Sequence, residues 1–275
     1  MTDKNRKRQV LLAACIPLLI AACGPREADN QPAAMSDGAA MSVSADESLY
    51  SQAVNNSARS ENDRQRDPLR KPGEVMQFFG IEPGTRVLDM FSGGGYYSEL
   101  LSYVVGQSGS VVAHTNTAYT NFVGDEATNR YANGRLPNVE ILQAENNELL
   151  LPADEFDTVL LVLTYHDIYY IDPENGWPKI DGPALLAELY KGMKSGAVLG
   201  VVDHVALPGA PQEAGNTLHR IDPALARAEI EEAGFVFEDE AEMLRNPDDD
   251  HAKPMGDPSI RGKTDRFVMR FRKPG

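Results

Sequence analysis

Two kinds of residues in this sequence could do chemistry, namely histidines that stand beside aspartates and a run of glycines. Asp167 directly follows His166, Asp203 directly precedes His204, and His219 comes about fifteen residues later. A carboxylate beside an imidazole favours its charged form and orients the ring, as a general acid or base requires. We therefore predict that His166, Asp167, His204 and His219 form a catalytic group, in which Asp167 and Asp203 orient the histidines.

The glycines lie in residues 86–99, which read RVLDMFSGGGYYSE. The pattern predicts a short buried strand at 86–90, a tight turn at 91–95 and an amphipathic helix from Tyr96. Glycine permits positive φ angles and lets a ligand approach the backbone, and the start of a helix offers free N–H groups. Such a strand–turn–helix unit opens nucleotide-binding α/β folds, although a plain packing joint without a ligand is the alternative.

The remaining elements must place the histidines near this turn. The apolar run at 158–163 predicts a strand buried on both faces of a parallel sheet, and it ends just before His166. Ligands bind outside the carboxyl ends of strands in open α/β sheets, so the residues after this strand face the expected cleft. Further strands are predicted at 110–114, 138–143, 197–202, 235–240 and 266–272, with helices at 74–79, 184–193 and 223–233. The fold class is therefore a doubly wound α/β sheet of about seven strands.

The glycine turn resembles motif I of class I S-adenosylmethionine (SAM) dependent methyltransferases, hydrophobic-hydrophobic-D-x-G-x-G-x-G. Asp89 matches the acidic residue, Gly93 and Gly95 match the second and third glycines, and Phe91 stands where the first is expected. More narrowly, the segments DxFxGGGYY, YHD, DH, HRID and RGKTDRF look like a bacterial group usually called predicted methyltransferases. The order and the lengths of the elements resemble this fold over residues 49–275.

This resemblance implies a Rossmann-like sheet with an antiparallel last strand, SAM as the cofactor, and methyl transfer to an unidentified small molecule. It also implies the cofactor-binding residues, which are Asp89, Phe91, Gly93, Gly94 and Gly95 for the methionine part, and Asn116 and Glu145 for the ribose and adenine. The family usually has an acidic residue near position 116, which here is an asparagine.

A metal ion is the competing interpretation of the histidine group. In catechol-type O-methyltransferases, carboxylates after the fourth and fifth strands hold magnesium, and Asp167 and Asp203 fall near those positions. Three histidines would instead suit zinc or another transition metal. Because no short-range metal-binding spacing such as HExxH is present, we predict no metal ligands.

The N-terminus predicts export. A basic segment precedes the apolar run 10–22, which is too short to span a bilayer as a helix of about 20 residues. The run ends Ile-Ala-Ala-Cys23, which resembles the lipobox of bacterial lipoproteins, in which the cysteine is lipidated. We predict a signal peptide at 1–22, a flexible tether at 23–48 and a folded domain at 49–275. Gly24 favours the outer membrane, on its periplasmic side, because the resemblance associates an aspartate there with inner-membrane retention.

Composition excludes several function classes. The net charge of −15 disfavours nucleic acid as a partner, and both cysteines lie within the first 23 residues, which excludes a catalytic cysteine in the folded domain. Residues 50–79 are rich in arginine despite this acidity. They form either a solvated helix face with a capped turn at Asp67-Pro68 or a segment that folds over the cleft and brings a cation to it.

Export conflicts with the cofactor, because SAM is made in the cytosol. Two other classes therefore stay open beside the methyltransferase: a non-catalytic exported protein that binds another small ligand on the same fold, and a different histidine-based enzyme. Asp89 and the glycine turn favour SAM, whereas Asn116 and the export signal favour the alternatives.

Overall fold

The computed structural model describes residues 45–275, in which a single mixed sheet forms the centre. Its seven strands lie in the order β3-β2-β1-β4-β5-β7-β6. Strands β1 to β5 are parallel, and β7 is antiparallel to both β5 and β6. The strands are β1 (Arg86–Met90), β2 (Ser110–Thr115), β3 (Val139–Gln143), β4 (Phe156–Val162), β5 (Met193–His204), β6 (Val236–Ala241) and β7 (Arg266–Arg272). The predicted fold class and the antiparallel last strand are confirmed.

Helices cover both faces of the sheet. Successive residues of a strand point to opposite faces, so the apolar central strands present apolar side chains on both. Leu160 packs with the helices α1, α3 and α4, whereas Leu161 packs with α7 and α9. The helices are α1 (Ala45–Val54), α2 (Glu61–Arg70), α3 (Pro72–Phe79), α4 (Tyr96–Val105), α5 (Thr117–Val123), α6 (Asp125–Tyr131), α7 (Gly182–Gly192), α8 (Glu213–Leu218) and α9 (Pro223–Glu232). The continuous apolar sequence of β4 is thus explained by burial on both faces.

The sequence predictions of several elements need correction. Asp67 and Pro68 lie inside α2 and form no turn. The strand predicted at 197–202 begins earlier, at Met193, since Met193 already pairs with Phe156 of β4. Helices α5, α6 and α8 were not predicted.

The predicted signal peptide, Cys23 and most of the predicted tether lie outside the described residues. The last four residues of that predicted tether, 45–48, form the first turn of α1. From Ala45 onward, no helix is both long enough and apolar enough to cross a bilayer.

One buried cation joins the N-terminal helices to the glycine turn. Arg130 of α6 is 7% exposed, and its guanidinium donates to Asp63 of α2 at 2.6 Å and to Glu99 of α4. Arg130 Nε also donates to the carbonyl oxygen of Gly94. Glu99 receives a second bond, at 2.6 Å, from Arg135. Both carboxylates are buried, and hydrogen bonds from Arg130 and Arg66 outweigh burial and lower the pKa of Asp63 to about 2.

A buried histidine joins the carboxyl ends of the first three strands. His114 of β2 is fully buried, and burial lowers its pKa to about 4, so the ring is neutral. Its Nε2 donates to the carbonyl oxygen of Ala144, after β3, at 3.0 Å. Its Nδ1 accepts from the amide of Phe91, after β1, at 3.5 Å.

We predict that Arg130→Met lowers the free energy of unfolding by about 3 kcal/mol, because two buried carboxylates lose the cation that they share. Each keeps only one partly exposed arginine, Arg66 for Asp63 and Arg135 for Glu99. Urea unfolding of the full chain measures this. The matched control is Arg64→Met, which removes a pair with the exposed Glu61 and should cost less than about 1 kcal/mol. Equal losses in the two variants would show that the buried cluster is not a stabilising contact.

The neutral His114 also predicts acid sensitivity. Its folded pKa of about 4 lies below the ordinary 6.5, so the unfolded chain binds a proton first as the pH falls. Stability from this group is complete above pH 6.5 and is lost towards pH 4. Its share of the loss between pH 7 and pH 5 is about 2 kcal/mol.

His114→Gln removes the titrating group and keeps an amide donor, so urea unfolding at the two pH values should show a shallower decline. His204, whose pKa burial lowers as well, adds to the same slope, so the variant reduces the decline without abolishing it. A decline as steep as that of the wild type would contradict the assignment.

Candidate functional site

The glycine turn occupies the point where the strand order reverses. Strands β1 and β4 are neighbours, and the chain leads away from them in opposite directions along the sheet, which opens a crevice at their carboxyl ends. The turn has φ angles of +55° at Phe91, +54° at Gly93 and +78° at Gly95. Such angles suit glycine and are strained for phenylalanine. The turn therefore keeps the left-handed conformation at 91 despite the missing glycine.

Aromatic rings hold Phe91 in that conformation. Its ring is 2% exposed and lies 5.5 Å from the ring of His114, 6.0 Å from Tyr119 and 5.7 Å from Trp177. Tyr119 and Trp177 also contact each other edge to face, at 5.1 Å. Trp177 belongs to the loop after β4, and its indole N–H donates to the carbonyl oxygen of Asp167 at 3.1 Å. Aromatic side chains thus pack closely against one another above the turn.

The three glycines differ in what lies above them. A Cβ at Gly93 would lie 3.8 Å from Tyr119 and Val123, which is ordinary contact. A Cβ at Gly94 would collide with the carboxylate of Glu126, and one at Gly95 with the hydroxyl of Tyr131. Gly94 and Gly95 are therefore required by the close approach of α6.

Asp89 lies at the end of β1 beneath the turn. Its carboxylate is 3% exposed and accepts a hydrogen bond from Ser98 Oγ of α4 at 2.6 Å. Burial raises the pKa of Asp89 to about 6, against the opposing effect of Ser98. The residue joins the strand to the helix that follows it.

Asn116, Asn146 and Glu145 meet at the ends of β2 and β3. Asn116 Oδ1 accepts from the amide of Tyr119 at 2.7 Å and caps α5, while its Nδ2 donates to Asn146 Oδ1 at 3.0 Å. Glu145 Oε1 accepts from the amide of Thr117 at 3.1 Å and from its hydroxyl at 2.5 Å. A carboxylate is thus present beside the end of β2, although β3 supplies it.

The predicted catalytic group forms around His166, after β4. His166 Nδ1 lies 2.7 Å from Asp203 Oδ1, and its Nε2 lies 3.3 Å from Asp167 Oδ1. His219 Nδ1 lies 3.8 Å from the same Asp167 oxygen. The His204 ring lies 5.7 Å from that of His166, but its Nδ1 is bound to Thr264 Oγ1 at 2.6 Å and not to the two aspartates. The structure therefore brings His166, Asp167 and His219 together, with Asp203 behind them.

Charges set the protonation of this group. Burial disfavours the imidazolium of His166, but the carboxylates of Asp203 and Asp167 outweigh it and raise its pKa to about 10. His166 in turn holds the pKa of Asp167 below its ordinary value, against the effect of burial. Burial and the positive His166 keep the pKa of His204 well below the usual range. His219, whose side chain is 33% exposed, is the histidine of this group that solvent reaches best.

Tyr119 connects the two parts of the site, and the sequence prediction missed it. Its ring stacks on Phe91, and its hydroxyl donates to Asp167 Oδ2 at 2.5 Å. Burial and Asp167 raise its pKa well above 10, so the hydroxyl stays protonated. The available signal was Asn116, a good N-cap residue that predicts a helix starting at position 117.

Comparisons with known proteins agree with this architecture. No protein-family model matches the chain. Over 83 residues it is 36% identical to ubiquinone/menaquinone biosynthesis C-methyltransferases (UbiE) of Vibrio campbellii and Vibrio parahaemolyticus. The match covers 30% of this chain and 31% of each relative, so it spans about a third of their length.

Solved structures resemble the chain over more of its length. A SAM-dependent methyltransferase from Aquifex aeolicus superposes with a TM-score of 0.53 at 24% identity, covering 76% of this chain and 95% of its own. One from Mesorhizobium loti superposes with a TM-score of 0.50 at 13% identity, covering 72% and 95%. At these identities the likeness establishes the fold, and the chain has the Rossmann-like α/β fold of class I SAM-dependent methyltransferases.

Proposed function

We propose that this protein is a SAM-dependent methyltransferase that acts on a small molecule. The observation that carries the proposal is the glycine turn between β1 and α4, which lies at the reversal of strand order in a sheet with an antiparallel β7. The similarity of 83 residues to C-methyltransferases supports the same reaction type.

The residues at the carboxyl ends of β1, β2 and β3 would hold the cofactor. Asp89, Phe91 and Gly93 lie at the methionine end, whereas Asn116 and Glu145 lie where the ribose and adenine are expected. Glu145 supplies the carboxylate that position 116 lacks, because it reaches the residue directly after Asn116. When bound, SAM supplies an electrophilic methyl group.

The fit has one condition. Glu126, Arg130 and Tyr131 of α6 occupy the space above Gly94 and Gly95. Binding over those two glycines therefore requires these side chains to move away from the turn, whereas Gly93 is already free of close contacts.

On the substrate side, His219 is placed to receive a proton. Methyl transfer depends mainly on alignment, and a base is needed only when the acceptor arrives protonated. His219 is partly exposed at the edge of the crevice, with Asp167 beside it. His166 is already held between two carboxylates, so its contribution is to orient Asp167.

We further propose that Cys23 carries a lipid that anchors the domain to the periplasmic side of the outer membrane. The sequence Ile-Ala-Ala-Cys23 after an apolar run supports this anchor, and acyl chains bind membranes at about 0.8 kcal/mol per buried CH₂. An enzyme in that position needs SAM outside the cytosol.

The cofactor is tested by calorimetric titration of the full-length protein in detergent with SAM and S-adenosylhomocysteine. We expect micromolar binding, and about tenfold weaker binding by Glu145→Gln because the carboxylate beside β2 is lost. Glu148→Gln, a matched change at a nearby exposed residue, should bind as the wild type does.

Absence of binding at millimolar ligand would contradict the methyltransferase proposal. It would favour a non-catalytic exported protein that binds another ligand, or a different histidine-based enzyme. Equal affinities for the two glutamine variants would remove Glu145 from the cofactor site without affecting the proposal itself.

The anchor is tested by Cys23→Ser in bacterial cells. We expect the variant to be soluble or unprocessed, because the residue that would be acylated is gone, whereas the wild type sediments with membranes at the mature size. Fractionation and immunoblotting measure this. Retention of the variant in membranes at the mature size would refute lipid anchoring.

A further inference from the structure

We propose that His166, Asp167 and His219 bind a divalent transition-metal ion of the zinc type through two imidazoles and one carboxylate. One donor atom from each residue lies within 4.8 Å of the others. Asp167 Oδ1 is 3.3 Å from His166 Nε2 and 3.8 Å from His219 Nδ1. A tetrahedral ion with bonds of about 2.0–2.1 Å separates its ligands by roughly 3.4 Å. These two separations therefore differ from the tetrahedral spacing by only a few tenths of an ångström.

A carboxylate fixes the first histidine in the orientation that a metal requires. Asp203 Oδ1 lies 2.7 Å from His166 Nδ1 and so directs Nε2 towards Asp167. Asp203 is itself held by the backbone amides of His166 and His204, each at 2.7 Å. Metal-bound histidines almost always have such a partner on the other ring nitrogen.

The other two ligand residues are supported as well. Tyr119 binds the second oxygen of Asp167, which leaves Oδ1 for the ion. The ring of His219 lies 5.0 Å from that of Tyr170. The backbone of His219 is left-handed, with φ of +51°, and Leu163 at the end of β4 has φ of +62°. Such conformations persist in non-glycine residues where the surroundings impose them, and they concentrate at functional sites.

Charge also favours a cation here. Asp167 and Asp203 are both more than nine-tenths buried, and buried carboxylates need a compensating positive charge. The nearby Arg220 is already paired with Asp249, at 2.9 and 3.0 Å. A divalent ion between His166 and Asp167 would supply the charge in place of a proton.

The donor set indicates the kind of metal. Imidazole suits zinc, iron, cobalt and nickel, whereas magnesium prefers sites made of oxygen ligands. Three protein ligands leave a fourth position open, as in catalytic zinc sites, and the partly exposed His219 provides the access. While it binds the ion, His219 would not also act as the base. The three ligands form no short-range sequence motif, because His166 and Asp167 follow β4 whereas His219 follows α8.

The test uses the full chain without a histidine tag, in detergent and freed of metal by a chelator. Co²⁺ is added stepwise, and its binding is followed by its visible absorption. Zn²⁺ and Fe²⁺ are then added as competitors, and oxygen is excluded from the Fe²⁺ experiment. His219→Gln and Asp167→Asn remove one ligand each. Asp203→Asn removes the negative charge beside His166 Nδ1 and keeps an amide oxygen there. His251→Gln is the matched control, since His251 also has a carboxylate partner, Asp265 at 3.0 Å, but lies outside the cluster.

We expect one Co²⁺ per chain with the absorption of a tetrahedral or five-coordinate site, displaced by Zn²⁺ and not by excess Mg²⁺. The two ligand variants should bind at least 100-fold more weakly, Asp203→Asn about 10- to 100-fold, and His251→Gln as the wild type. His219 is partly exposed, so its variant should keep the wild-type melting temperature without metal.

The inference is overturned if the wild type binds none of the three ions stoichiometrically, if both ligand variants bind as tightly as the wild type, or if Mg²⁺ displaces Co²⁺. The readout needs neither SAM nor turnover. Its failure therefore leaves the methyltransferase proposal standing, and failure of that proposal leaves the metal site standing.

Discussion

The parallel pairing of β1 with β4 is the constraint on which the whole site depends. Residue 89 lies beside residue 160 in this register, so the glycine turn and the segment from Thr164 to Asp167 leave the sheet at the same edge. Neither segment alone forms a site. Tyr119 completes the connection, because it stacks on Phe91 and binds Asp167. The glycine turn and the histidine cluster are therefore connected through one side chain.

Buried carboxylates share a cation at two places in the structure, the glycine turn and the histidine cluster. At the glycine turn, Asp63 and Glu99 share the guanidinium of Arg130. At the histidine cluster, Asp167 and Asp203 flank His166. In both places two buried carboxylates share one cation, and removing that cation is costly because the carboxylates stay desolvated. At the glycine turn they would keep only the partly exposed Arg66 and Arg135 as partners. The contacts of Arg130 hold α6 against the turn. The contact between His166 and Asp167 is where we propose that a metal ion binds.

Local patterns predicted the sheet well and the cover of the site poorly. The short apolar segments of β1, β4 and β7 favour buried strands. The glycine turn is indicated by residues that tolerate positive φ. Helices α5 and α6 carry no comparable signal, since α5 has no buried residue and α6 has only Arg130. Their positions depend on contacts with distant residues such as Asp63.

The same limit explains why the carboxylate beside the end of β2 was not predicted. The residue at the end of β2 is Asn116 and not an acid, and the prediction considered only this one strand. In the folded chain Glu145 arrives from β3 and binds the residue after Asn116. Likewise, His219 joins His166 only through the fold. A side chain that follows one strand can thus lie at the end of a neighbouring strand, and the spacing of residues along the sequence does not reveal this.

We expect the glycine turn to bind SAM once the side chains of α6 have moved away from Gly94 and Gly95. Hydrogen exchange of the full-length protein, measured with and without S-adenosylhomocysteine, tests this. Exchange of amides should become slower in the turn 91–95 and faster in α6, with the central strands unchanged. Unchanged exchange in both the turn and α6 at saturating ligand would contradict it.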